Sequence, residues 1–222
     1  MPKIVDHDAR RRELVRAAWR VVGRDGLDGL TTRAVAREAG WSTGVLAHYF
    51  DNREELLLAA FRLVFEEAMQ RMKDTLAVEP NPMQALTNAL LEAVPLTTRQ
   101  HTEAIVWFTF LGLAAGQPTL HAEAQARYGL WLDLIEQAVQ AVFPDRQSTE
   151  ARRIARMLVS HVDGLTVQAI FDAQGLPIPQ LEIELRESIR VTLANATSPD
   201  GPETVHLDST SSVLAECEAN AK

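Results

Sequence analysis

Proline placement constrains this chain of 222 residues more than any other feature. None occurs from residue 3 to residue 79, and the later ones stand at 80, 82, 95, 118, 144, 177, 179, 199 and 202. A proline inside a helix removes a backbone donor and clashes with the preceding turn, so these positions mark helix starts and ends. The stretches between them are rich in Ala, Leu, Glu, Gln and Arg, which favour helix. No segment alternates apolar and polar residues with period two, and no Asn-Gly or Asp-Gly turn joins β-branched runs. The chain reads as all-α.

Apolar spacing predicts a first helix over residues 8–24, with Leu14, Ala17, Ala18, Val21 and Val22 on one face. Gly23, Gly26 and Gly29 predict a loop after it. A second helix is expected over 32–39, capped by Thr31 or Thr32 and closed by Gly40 in the left-handed C′ position. A third begins after Ser42 and ends near Phe50, and Asp51 or Asn52 caps a longer fourth. Five more follow, at about 82–94, 97–115, 119–143, 148–174 and 179–196.

Two of these segments say something about packing. From Ala104 onward the 97–115 segment is apolar on all sides, which suits the centre of a domain. The 148–174 segment carries two stripes. Ile154, Leu158, His161, Leu165 and Ala169 form one; Met157, Ser160, Gly164, Val167 and Phe171 form the other. Two buried faces are more than a single subunit of this size accounts for. Residues 197–222 are dominated by Ser, Thr, Pro, Asp and Glu and are expected to form a mobile tail, with loose helical turns around 213–219.

Charge is unevenly spread. The formal net charge of −8 argues, taken whole, against indiscriminate binding to polyanions. Yet residues 1–53 hold ten basic and seven acidic side chains, a net of +3, while 54–222 hold 12 and 23, a net of −11. A mildly basic head sits on an acidic body. The single cysteine, Cys217, excludes a disulfide framework or a cysteine-ligated zinc site. The stretch MPKIVDHDARRREL lacks the apolar core of a signal peptide, and no uncharged apolar run reaches 18 residues, so a cytoplasmic protein without a membrane partner is expected.

The stretch TTRAVAREAGWSTGVLAHYF, residues 31–50, places two short helices about a tight turn at Gly40, the helix-turn-helix layout. Val35, Ala36, Ala39, Leu46 and Phe50 are spaced for burial. Thr43, Gly44, Val45, Ala47 and His48 are left on the outer face of the second helix, the one that enters the major groove in such units. These residues are small or polar, so the backbone can approach base edges closely. Arg33, Tyr49 and Arg53 flank that face for phosphate contacts, and the amides near Thr32 add a helix N-terminus. A three-helix packing unit with no role in DNA binding is the plain alternative.

The arginine-rich first helix, the run GLDGLTTRAVAREAGWSTGVLAHYFDNREELL and the later SHVDGLTVQAIF resemble the TetR family of bacterial transcriptional regulators, closest to its betaine-regulator-like branch. Trp41 stands where a small aliphatic residue is usual, Ala47 where many members have tyrosine, and Arg53 where lysine is common. The resemblance implies a DNA-binding domain over 1–53 and a helical ligand-binding and dimerisation domain over 54–196. It also implies a homodimer of about nine helices per subunit, whose last two long helices pair across the two-fold axis. A repressor is implied that binds a palindromic double-stranded operator and is released when a small effector moves the fourth helix.

In the body, Phe65, Met69, Trp107, Phe110, Leu111 and Trp131 are the candidates for lining an effector cavity, with plain core as the alternative for each. Glu66, Glu103 and Asp163 are candidate charges for a cationic effector held by cation–π contact. Leu158, His161, Gly164, Leu165, Leu185 and Ile189 are the candidates for the dimer interface. No glycine-rich phosphate loop, G-x-S-x-G elbow or H-E-x-x-H helix is present, so neither enzyme chemistry, a cofactor nor a metal is expected. The rival reading is a helical small-molecule-binding or enzymatic protein whose head does not touch DNA.

Overall fold

The computed structural model describes residues 7–172 and 174–197. They form nine α-helices and no strand: α1 (His7–Gly29), α2 (Thr32–Ala39), α3 (Thr43–Tyr49), α4 (Arg53–Val78), α5 (Pro82–Leu91), α6 (Thr98–Ala114), α7 (Pro118–Val142), α8 (Ser148–Phe171) and α9 (Ile178–Thr197). None of the described helices is long and apolar enough to cross a membrane. The expected tail, its helical turns and Cys217 lie outside the described residues.

Local chemistry sets most boundaries. Thr31, Ser42, Asn52, Asn81 and Thr97 each turn a side-chain oxygen onto a first-turn amide of α2, α3, α4, α5 and α6. Such caps contribute about 1 kcal/mol apiece by satisfying an otherwise orphaned N–H. Asp51 does not cap α4; its own N–H donates to Glu55 at 2.9 Å. Gly40 takes the left-handed conformation, φ 72°, and the Trp41 N–H then closes α2 on Ala36 O at 2.8 Å. Two ends fall short of the pattern in the sequence. α5 stops at Leu91 because Glu92 begins a turn, and α8 stops at Phe171, so Gln174 lies outside it.

The first connection differs from expectation. Helical structure continues through Gly23 to Gly29, interrupted only at Gly26 (φ 67°, ψ −169°). Gly23 is needed for a tertiary reason: a Cβ there would lie 2.1 Å from Thr102 Cγ2 on α6. Its absence lets α1 lie directly on α6. Leu30 then folds under α1 and is fully buried.

α4 carries two cores. Its first half, Leu56 to Val64, joins Leu14, Val21, Leu30, Val35, Leu46 and Phe50 beneath the head. That cluster also takes in Val106, Phe110 and Ala114 of α6, so packing continues beyond residue 53 into the body. The second half of α4, from Phe65 to Met72, joins α5, α7, α8 and α9 in the other core. α6 packs against α1, α4, α7 and α8, the central place its all-round apolarity predicts. Trp107 on α6 touches both cores and links them.

Candidate nucleic-acid interface and effector cavity

The head presents the outer face of α3 to solvent. Leu46 and Phe50 anchor it from below, and Thr43, Gly44, Ala47 and His48 are exposed, with Val45 and Tyr49 half-buried at its edges. Thr32 and Arg33 are exposed at the start of α2. Tyr49 lies beside the first turn of α1, its hydroxyl 3.0 Å from His7 Nδ1. Arg53 is not a free cation: it donates to the Leu27 carbonyl and stands 3.8 Å from Asp28, so it also ties the break in α1 to the start of α4. The large residue in the turn, Trp41, is covered by the Arg10 guanidinium at 4.3 Å from the ring centroid. Arg11 covers Phe50 in the same way at 4.9 Å. The arginines of α1 therefore serve partly as lids on aromatic rings, which charge counting does not reveal.

In the body, α4, the turn after α5, α6, α7 and α8 surround a cavity of about 70 Å³. Phe65, Met69, Trp107 and Trp131 line it. Phe110 and Leu111 do not. Phe110 stacks on Phe61 at 3.7 Å between centroids within the head-side core, and Leu111 packs there too. α6 is apolar on every side, and these two point to the other core. Glu66 is exposed, 3.7 Å from Arg127, and takes no part.

The polar groups of the cavity sort themselves by partner. Glu103 is only 5% exposed, but Arg71 grips both its oxygens at 3.1 and 2.5 Å, and Arg99 adds a third bond at 2.9 Å. Its charge is neutralised. Asp163 on α8 has no cation beside it among the described residues and accepts only the Tyr128 hydroxyl, at 2.5 Å. Burial pushes its carboxyl up to about 6, although the bond from Tyr128 favours the charged form. Burial and the nearby carboxylate raise the Tyr128 phenol well above its ordinary value. Among the described residues, the Trp131 indole N–H and the Thr166 hydroxyl are buried without a partner. Around them Trp107, Tyr128 and Trp131 meet at 5.6–6.3 Å, two pairs edge-on and one stacked, and Phe65 stacks on Trp107 at 6.1 Å. An aromatic wall, a carboxylate without a cation and the two residues with unpartnered donors line one space. Tyr128 and Thr166 escape a reading of the sequence because nothing in it says that α7 and α8 bring them together.

The candidate dimer residues divide. Leu158, Leu185 and Ile189 are fully buried within one subunit, where α8 and α9 pack on each other and on α5 and α7, so they cannot also meet a partner. Leu165 is half-buried against the same core. His161 lies half-buried with Nδ1 3.5 Å from Thr192 Oγ1, a link between α8 and α9. Gly164 is exposed. It belongs to the other stripe, with Met157, Ser160, Val167 and Phe171, the last 85% exposed. On α9, Ile183 and Val191 are exposed as well.

Residues 14–60 match the family described as bacterial regulatory proteins of the tetR family, and residues 82–194 match the C-terminal region of BetI-type transcriptional repressors. The HTH-type transcriptional regulator PksA of Bacillus subtilis is 34% identical over 173 residues, covering 78% of this chain and 84% of that protein. The regulator BetI of Cronobacter sakazakii is 28% identical over 209 residues, 91% of this chain and all of its own. Among solved structures, a transcriptional regulator from Rhodococcus sp. Rha1 shares 30% identity at a TM-score of 0.71, covering 83% of this chain and 96% of that one. A structure from Saccharomonospora viridis, described as a transcriptional regulator in complex with choline, shares the fold at a TM-score of 0.75 and 21% identity, covering 83% and 97%.

Proposed function

The chain belongs to the TetR family of DNA-binding transcriptional regulators, with a body of the BetI type, and on that premise we propose a cytoplasmic homodimeric repressor released from its operator by a small organic cation. Each head offers α3 to a major groove, with Thr43, Gly44, Val45, Ala47 and His48 toward base edges. Thr32, Arg33, Tyr49 and Arg53 fix its register on phosphates. Two heads reading one face of straight duplex must stand about 34–36 Å apart or a multiple of it, so their separation is the quantity an effector has to change. The outer stripe of α8, Met157, Ser160, Gly164, Val167 and Phe171, together with Ile183 and Val191 of α9, is the face for the second subunit.

Asp163 carries the effector reading. A carboxylate this deep without a cationic partner is expensive, and a guest cation supplies the missing charge. Trp107, Trp131 and Phe65 give such a guest ring faces, and the donors of Thr166 and Trp131 call for an acceptor atom on it. The choline found in the Saccharomonospora viridis structure is a cation of this class. A thermal-shift panel of choline, other quaternary amines, fatty acids and neutral lipophiles tests the assignment. Stabilisation by the amines is expected to grow with pH through about 6, as Asp163 ionises. Stabilisation by the acids or neutral compounds alone would end the cationic reading.

A further inference from the structure

An alternating series of ion pairs runs from the cavity wall to the head. Glu92 and Glu103 line the cavity. Arg71 of α4 donates to Glu92 at 3.0 Å and to both oxygens of Glu103. Arg99, one turn before Glu103 on α6, donates Nε to Glu103 and Nη2 to Glu67 of α4, the latter at 2.7 Å. The other Glu67 oxygen accepts from Arg16 of α1 at 3.1 Å. The order is Glu92, Arg71, Glu103, Arg99, Glu67, Arg16. Three carboxylates alternate with three guanidiniums, and each of the four inner members is held from both sides.

Isolated surface pairs contribute little, but this series is anchored at Glu103, the least exposed carboxylate in it. A buried carboxylate that loses one of its arginines becomes under-neutralised, which strongly favours re-pairing over separation. The packing alongside is tight. Gly23 of α1 abuts Thr102, the neighbour of Glu103, so α1 and α6 cannot slide past each other freely. A change of pairing at Glu103 therefore has a short covalent and ionic route to α1.

We propose that this series reports occupancy of the cavity to the DNA-binding head. A guest beside Glu92 and Glu103 redistributes Arg71 and Arg99, and Glu67 passes the change to Arg16 on α1. The inference rests on the cavity being the effector site. Glu67 is its coupling residue, because it lies outside both the cavity lining and the outer face of α3.

Amide hydrogen exchange on the intact protein tests the series without effector or operator, using wild type, E103Q, E67Q and the double variant. E103Q is expected to raise exchange across residues 14–22 of α1 by roughly 3- to 30-fold when Glu67 is present, and by less than about twofold when it is Gln. Equal effects in both backgrounds, or an α1 indifferent to E103Q, would overturn the proposal. Should E103Q not fold, Glu92→Gln at the more exposed cavity end replaces it in the same cycle. A choline titration of wild type and E67Q then separates the two readings. Equal stabilisation of both is expected; loss in E67Q alone makes Glu67 part of the site and overturns its coupling role. Choline stabilising neither protein removes the cation assignment, and the exchange cycle still decides the series.

Discussion

Replacing Asp163 by Asn should make the protein more stable and unresponsive to its effector. Burial holds this carboxyl near 6 instead of its ordinary 3.8. At about 1.4 kcal/mol per pH unit, keeping it charged costs the folded protein about 3 kcal/mol once both states are ionised. Between about pH 4 and pH 6 the folded state keeps a proton that the unfolded state has released. Stability from this group therefore falls as pH rises through that window and is level above it. Asn cannot ionise, has nearly the same shape and still accepts from the Tyr128 hydroxyl. It should recover about 1–3 kcal/mol at pH 8 and close to nothing at pH 4. For a chain of this size that is a rise in Tm of about 3–10 °C at pH 8. Calorimetric melts of both proteins from pH 4 to pH 8, at one protein concentration, give the comparison, and choline at pH 8 should shift only the wild type. A variant less stable than wild type at pH 8 would mean instead that the carboxylate has a stabilising partner.

Gly23→Ala places a methyl 2.1 Å from Thr102 Cγ2 and 3.1 Å from its Cβ, so Thr102 must turn or α1 must lift from α6. A loss of about 1–3 kcal/mol in denaturant unfolding is expected, and an unchanged midpoint would contradict the close approach. Phe171→Glu, on the outer stripe of α8, should yield folded monomers by sedimentation, whereas Leu158→Glu, in the subunit core, should not fold. Arg33→Ala should reduce the slope of log K against log salt for duplex by about one while leaving Tm unchanged. Arg53→Ala should weaken binding to all sequences alike and also lower Tm, because Arg53 holds the Leu27 carbonyl.

What the sequence disclosed follows the range of the forces involved. The Ser42 cap, the cap at Thr31 or Thr32 and the left-handed Gly40 depend on neighbours within four residues, and all are readable from the chain. Gly23 looks like part of a loop because its real reason, the closeness of Thr102, lies 79 positions away. Trp107 and Phe110 sit three residues apart on a helix apolar all round, and only tertiary packing tells that one faces the cavity and the other the head. Periodicity likewise exposes two stripes on α8 but cannot choose which is inside. Leu158 takes the core and Phe171 the surface because α9 covers the first face. Asp163 was legible as a charge and not as an unpaired one, since pairing depends on which arginines other helices bring.

Selection of duplexes from a random pool by the intact protein decides whether a cation releases a pair of heads from DNA. Enrichment of an inverted repeat is expected, with half-sites about one helical turn apart or a multiple of it. Choline at pH 8 should then elute the bound duplex from wild type but not from D163N. A selection that returns no inverted repeat, or duplex retained by wild type under saturating choline, would rule out a cation-released dimer.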